Sequence, residues 1–203
     1  MNQIEAMKRL NALGMPAFGT REAAALLSVT PANATMILGR LERSGFLTHL
    51  ARGRWGIAGA VSRFALPELL SAPDPAYVSL QSALFHHGLI EQVPAVIYAI
   101  TLGRTRRARN PIGTVSFHHL PPELFTGFDI SPRDGAKIAT AEKALFDTVY
   151  LAPARSRLFA RLPELDLPRR FRWPDLRKFV AQVKSVSRRS FLADRIEALR
   201  KGR

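Results

Sequence analysis

The chain contains no cysteine, so it has neither a disulfide framework nor a thiolate nucleophile, which fits a reducing cytoplasm. It also lacks any run of about 18 consecutive apolar residues, the length that a membrane-spanning helix needs. Its first residues, MNQIEAMKRL, pattern as an amphipathic helix and not as a basic segment followed by an apolar core. No secretory signal is therefore expected, and the expected location is the cytoplasm. Lysine is scarce: six of the basic residues are Lys and 24 are Arg. Acidic residues are scarce as well, with 16 Asp plus Glu against 30 Lys plus Arg, for a formal net charge of +14. What is present excludes a disordered or collagen-like chain, because 47% of the 203 residues are hydrophobic and mean hydropathy is −0.02. Such a length suits one large domain or two small ones, each with a core. The basic excess points to a polyanion, usually nucleic acid and less often a membrane surface. Arg, Ala and Pro are all common, as in GC-rich coding sequence, so charge alone decides nothing.

The charge is unevenly distributed. Residues 1–66 hold 8 basic and 3 acidic side chains, residues 67–151 hold 7 and 8, and residues 152–203 hold 15 and 5. The corresponding net charges are +5, −1 and +10. Pro67, Pro73 and Pro75, with Ser71 and Asp74, mark a linker over residues 61–76.

Ahead of that linker, a helix is predicted over 2–13, with Ile4, Met7, Leu10 and Leu13 on one face and Gly14 as its stop. Thr20 is placed to cap a second helix that carries Glu22 in its first turn and buries Ala23, Ala24, Leu26 and Leu27. After a turn at Ser28-Val29, Thr30 and Pro31 open a third helix that runs to about Ser44 and stops at Gly45. Its inner face is Ala34, Ile37, Leu38 and Leu41; its outer face presents Ala32, Asn33, Thr35, Met36 and Arg40. Asn pairs with adenine, Thr and Met touch a thymine methyl, and Arg holds guanine or phosphate. Small residues at the helix start let it enter a major groove. A hairpin follows, with strands at 46–50 and 55–57 and Arg52 and Arg54 at its tip. This order reads as a winged helix-turn-helix over 1–60, with Asn33, Thr35, Met36 and Arg40 for base readout. Arg21, Arg52 and Arg54 would then lie on phosphates or in the minor groove. Helix-helix-hairpin units also serve as interaction or structural modules.

Beyond the linker, Ser79 is expected to cap a short helix that Gly88 stops, and residues 95–101 form an apolar strand. The run Arg104-Thr105-Arg106-Arg107-Ala108-Arg109 follows as an exposed loop, then strands near 113–120, 125–130 and 136–139. Thr140 caps a helix over 141–151 with Leu145, Phe146 and Val149 inward. The segments YVSLQSALFHHGLIEQVP, GRTRRARNPIGTVSFHHLP and IATAEKALFDTVYL resemble, in order and spacing, the AbiEi family of antitoxins. The resemblance covers about residues 1–151. It implies an antitoxin-type domain with its core at 77–151, behind a winged helix-turn-helix. It also implies a transcriptional regulator of a type IV abortive-infection toxin–antitoxin system that binds inverted repeats upstream of its own operon and represses it. Its partner in function would be a nucleotidyltransferase-like toxin, counteracted without a stable complex. An inverted-repeat operator would be met by a dimer or by paired monomers on double-stranded DNA.

Chemistry finds less support. His86-His87 and His118-His119 are adjacent pairs, whose side chains diverge on a helix or strand, so neither pair chelates by itself and no metal or cofactor is expected. Asp129, Asp134, Glu142 and Lys143 raise the question of a metal nuclease, but Glu142 more simply favours the helix dipole. No Gly-rich phosphate loop, G-x-S-x-G elbow or H-E-x-x-H occurs. The expectation is therefore not an enzyme. The alternatives are a stand-alone winged-helix regulator whose second domain senses an effector or dimerises, and thirdly a nucleic-acid-processing enzyme. Helices are predicted over 155–162 and 173–200, forming a basic extension at 152–203 that packs through Leu176, Phe179, Val180, Val183, Phe191, Leu192, Ile196 and Leu199. Its outer face would carry Arg169, Arg170, Arg172, Arg177, Lys178, Lys184, Arg188 and Arg189. With Arg104, Arg106, Arg107 and Arg109, residues Arg169, Arg170, Arg188 and Arg189 are candidate further contacts to nucleic acid or another anion. The fold class expected is α+β.

Overall fold

Helix α1 (Gln3–Asn11) starts where the Asn2 side chain accepts the Glu5 N–H at 2.8 Å, which satisfies one of the orphan donors of a first turn. The computed structural model describes residues 2–153 and 162–201 of the chain. Ala6 and Leu10 of α1 are buried, and Met7 and Leu13 pack beside them. Ile4 departs from the expected inner face and is 79% exposed, because α1 meets its neighbours only along the Ala6–Leu10 side. Gly14 adopts φ +64, the left-handed conformation that suits a helix stop.

Next come β1 (Ala17–Gly19), α2 (Thr20–Leu27), α3 (Pro31–Arg43), β2 (Leu47–Ala51) and β3 (Arg54–Ile57). The strands form an antiparallel sheet in the order β1-β3-β2. Phe18, Leu27, Leu38, Leu41, Leu47 and Trp55 close a core over it. Thr20 does not cap α2. Gly19 holds that position, the Glu22 carboxylate accepts the Gly19 N–H at 2.7 Å, and the Thr20 hydroxyl accepts the Trp55 indole N–H at 2.9 Å. Thr30 and Pro31 do open α3, and the Thr30 hydroxyl accepts the Asn33 N–H.

Residues 61–76, expected as a linker, include a 3-10 turn at Arg63–Ala65 and a helix α4 (Leu66–Ser71). Leu66 is fully buried against Leu50, Val61, Val78, Ile97, Val115 and Phe117. Pro67 begins this helix instead of breaking the chain, because the first turn has no use for its missing N–H.

A mixed sheet of six strands follows: β4 (Ala76–Val78), β5 (Ile97–Thr101), β6 (Arg106–Asn110), β7 (Gly113–His119), β8 (Phe128–Ile130) and β9 (Lys137–Ala139), in the order β6-β7-β5-β4-β9-β8. β5 runs parallel to β7 and β4 parallel to β9; the other pairs are antiparallel. One face of the sheet packs on α4. The other meets α5 (Leu80–His86) and α6 (Ala141–Leu151), on which α7 (Trp173–Ala181) and α8 (Val186–Lys201) pack, in a core that includes Leu84, Ile100, Leu145, Phe146, Leu176 and Leu192. The class is α+β, with two sheets and eight helices among the described residues. No described helix is long and apolar enough to cross a membrane.

Three further differences are physical. Of the arginine run expected as a loop, Arg106–Arg109 belong to edge strand β6, where charged side chains protect the unpaired edge. Ser79 stands at the N-cap of α5 as expected, but its side chain makes no capping bond and its hydroxyl donates instead to Asp147 at 2.7 Å. Phe191 of α8 is 44% exposed, whereas Leu192 and Ile196 are buried. The helix expected over 155–162 lies, apart from residue 162, outside the described residues.

Candidate nucleic-acid interface

The α2–α3 turn passes through Ser28 at φ +55, and the Ser28 and Val29 amides donate back to the last turn of α2. This tight connection leaves one face of α3 bare. Ala34, Leu38 and Leu41 are buried, whereas Ala32, Asn33, Thr35, Met36 and Arg40 are all exposed, Met36 by 64%. The Thr35 hydroxyl donates to the Pro31 carbonyl at 2.9 Å.

The hairpin is held against the start of α2. The Thr20 N–H donates to the Gly53 carbonyl at 2.9 Å, and Gly53 takes φ +71 at the tip. A bulge between His49 and Ala51 lets the strands twist toward that tip. A cleft of about 870 Å³ results, lined by Arg21, Thr35, His49, Arg52, Arg54 and Trp55 among others. Three arginines from α2 and the hairpin thus surround one wall of α3. None of the three makes an ion pair among the described residues. His49, stacked 4.6 Å from Trp55 at a tilt, belongs to the same cleft, although its lone position in a strand did not single it out.

The further basic candidates divide. Arg104, Arg106, Arg107 and Arg109 are all exposed, and Arg107 and Arg109 share one face of β6. Arg106 turns to the other face, donates to the Leu70 carbonyl at 2.6 Å and lies 4.6 Å over the Phe117 ring. Arg169 and Arg170 are exposed. Arg188 and Arg189 are half-buried: Arg188 donates to the Tyr150 carbonyl at 2.9 Å and lies 3.9 Å over its ring, and Arg189 donates to the Val183 carbonyl. The flat guanidinium group and apolar stem of Arg188 thus hold α8 against α6. Arg172 and Lys178 both pair with Asp175, Arg177 pairs with Glu197, and Lys184 pairs with Glu123.

The residues weighed for nuclease chemistry have other partners. Lys143 is fully buried and donates to Asp147 at 2.6 Å and to the Leu124 carbonyl at 2.7 Å. Tyr77 and Ser79 also donate to Asp147. Burial pushes the Asp147 carboxyl up, against the opposing pull of Lys143 and the two hydroxyls. The Lys143–Asp147 spacing of four residues was the signal for this pair. Glu142 accepts the Arg172 N–H, and Asp134 accepts the Ala136 N–H. Asp129 stands exposed on β8. Of the histidines, His87 bonds the Ala139 carbonyl, His119 bonds the Leu102 and Gly103 carbonyls, and His118 bonds Ser116. Among the described residues no group of three His, Asp or Glu side chains is placed to hold a metal ion. Compared with known proteins, the chain matches no family model, and no curated protein is significantly similar to it in sequence.

Proposed function

We propose that the protein is a DNA-binding transcriptional autorepressor whose residues 1–60 form a winged helix-turn-helix. Following its resemblance to AbiEi antitoxins, it would also counteract a nucleotidyltransferase-like toxin. The observation that carries the DNA reading is the bare α3 face bearing Asn33, Thr35, Met36 and Arg40 beside a cleft ringed by Arg21, Arg52 and Arg54. In this reading α3 enters the major groove, where Asn33 and Arg40 discriminate base edges and Thr35 and Met36 contact thymine methyls. The arginines of α2 and the hairpin hold the flanking phosphates, fix the register of α3 and release counterions.

The test is anisotropy titration with DNA from upstream of the protein's own gene and with a scrambled duplex. Asn33→Ala with Arg40→Ala should cost about 1–3 kcal/mol per residue that reads a base on the matched DNA and little on the scrambled DNA. Equal losses on both would overturn base readout by α3. For the antitoxin role, co-expression with a nucleotidyltransferase-like product encoded beside it should restore growth. Failure of rescue while operator binding persists would leave a stand-alone repressor.

A further inference from the structure

A smaller cavity, separate in its lining from the arginine-ringed cleft, lies between residues 62–64, α5 and the approach to β5. Its volume is about 300 Å³, and its walls include Phe64, Phe85, Val93, Pro94, Val96 and Ile97. The 3-10 turn that leaves the first sheet supplies Phe64, α5 supplies Phe85, and the approach to β5 supplies the others. Two features distinguish it from a packing defect. Its mouth leaves apolar side chains in water, with Phe85 37% and Val93 68% exposed. Its polar wall is already satisfied: the Ser82 hydroxyl donates to the Val96 carbonyl at 3.3 Å and accepts the Tyr98 N–H at 2.8 Å. The cavity carries one charge, that of Arg63, which is exposed and has no ion-pair partner among the described residues.

We infer that this cavity binds a small aromatic carboxylate, with the ring among Phe64, Phe85, Val93 and Ile97 and the carboxylate on Arg63. Apolar walls with a single oriented charge are the usual form of a small-molecule site, and this volume stands at the low end, which limits the occupant to about one ring. The charge selects the sign: an unpaired guanidinium at the rim of an apolar cavity favours a planar carboxylate that it can grip with two N–H groups. A cation would meet Arg63 with no acidic residue in the lining to offset it. An uncharged ring would leave the guanidinium without a partner. Occupancy would brace the turn that leaves the first sheet against β5 and α5. The site depends on no assumption about DNA.

The experiment is calorimetric titration of the full chain with benzoate and phenylacetate, and with benzamide as the uncharged isostere. Saturable binding of a carboxylate at one site per chain, with benzamide weaker, is expected. Arg63→Gln should weaken carboxylate binding by about fivefold, the worth of an exposed ion pair, and leave benzamide unchanged. Val93→Asp, at an exposed position, should abolish carboxylate binding by placing a like charge at the mouth; both variants should retain the parent circular dichroism. Absence of binding by either acid, or binding that neither substitution alters, overturns the inference. So does an apolar mouth found closed by a second copy of the chain, read as a dimer in light scattering that Val93→Asp dissociates.

Discussion

The arginines around α3 and those around α8 carry the same formal charge and do opposite work. Arg21, Arg52 and Arg54 line an open cleft, which Glu22 also borders, and form no ion pair among the described residues. Arg188 and Arg189, from the most basic block of the chain, turn back onto the Tyr150 and Val183 carbonyls. Between them, Lys143 is taken wholly into the core with Asp147. A net charge therefore overstates the positive surface available to a polyanion. It already subtracts carboxylates such as Asp175, Glu197 and Glu123, but it still counts in full the guanidinium groups of Arg106, Arg188 and Arg189, which are held on backbone carbonyls.

The sharpest way to break this contrast is at the buried pair. Lys143→Met should cost about 3–5 kcal/mol in urea unfolding, because Asp147 would keep a buried charge without its cation. Adding Asp147→Asn should recover part of that loss, since Asn still accepts from Tyr77 and Ser79 and carries no charge. If Lys143→Met is neutral, the internal cation is not structural. Next in size is His118, whose imidazole is held down to about 4 by burial first and by the Arg107 guanidinium second. The unfolded chain takes up a proton near pH 6.5 that the folded chain refuses until about pH 4. Stability should be full above pH 6.5 and fall by roughly 2–3 kcal/mol as pH drops toward 4. His118→Gln should flatten that slope, and an unaltered slope would place the titration elsewhere.

The smallest effects separate the two sets of arginines directly. Arg188→Ala should destabilise by about 1–2 kcal/mol, through the lost ring contact and hydrogen bond, without changing the salt dependence of DNA binding. Replacing Arg21, Arg52 and Arg54 with Ala should leave stability within about 0.5 kcal/mol and reduce the logarithmic salt slope by about 2–3. The reverse pattern would exchange the roles assigned to the two regions.

Much of the architecture was legible because its signals are local. Thr30-Pro31 and Gly45 bound α3, Thr140 opens α6, and the apolar positions of α7 fall on its buried face. The bare face of α3 was legible for the same reason, since a helix of 13 residues with one apolar stripe must leave the other side to solvent or a partner. Residues 61–76 were misread because proline and serine mark both the start of a helix and a turn. Burial of Leu66 between two sheets resolves that ambiguity only in three dimensions.

The sequence by itself determined the caps, stops and apolar stripes of the helices, because each depends on residues within one or two turns. It also determined the overall excess of positive charge. Only the tertiary structure decided which cations take partners within the protein. The partners of Arg106, Lys143 and Arg188 include Leu70, Leu124 and Tyr150, which lie 36, 19 and 38 positions away. A side chain's reach across such separations is set by how sheets and helices pack, and periodicity along one element carries no information about it.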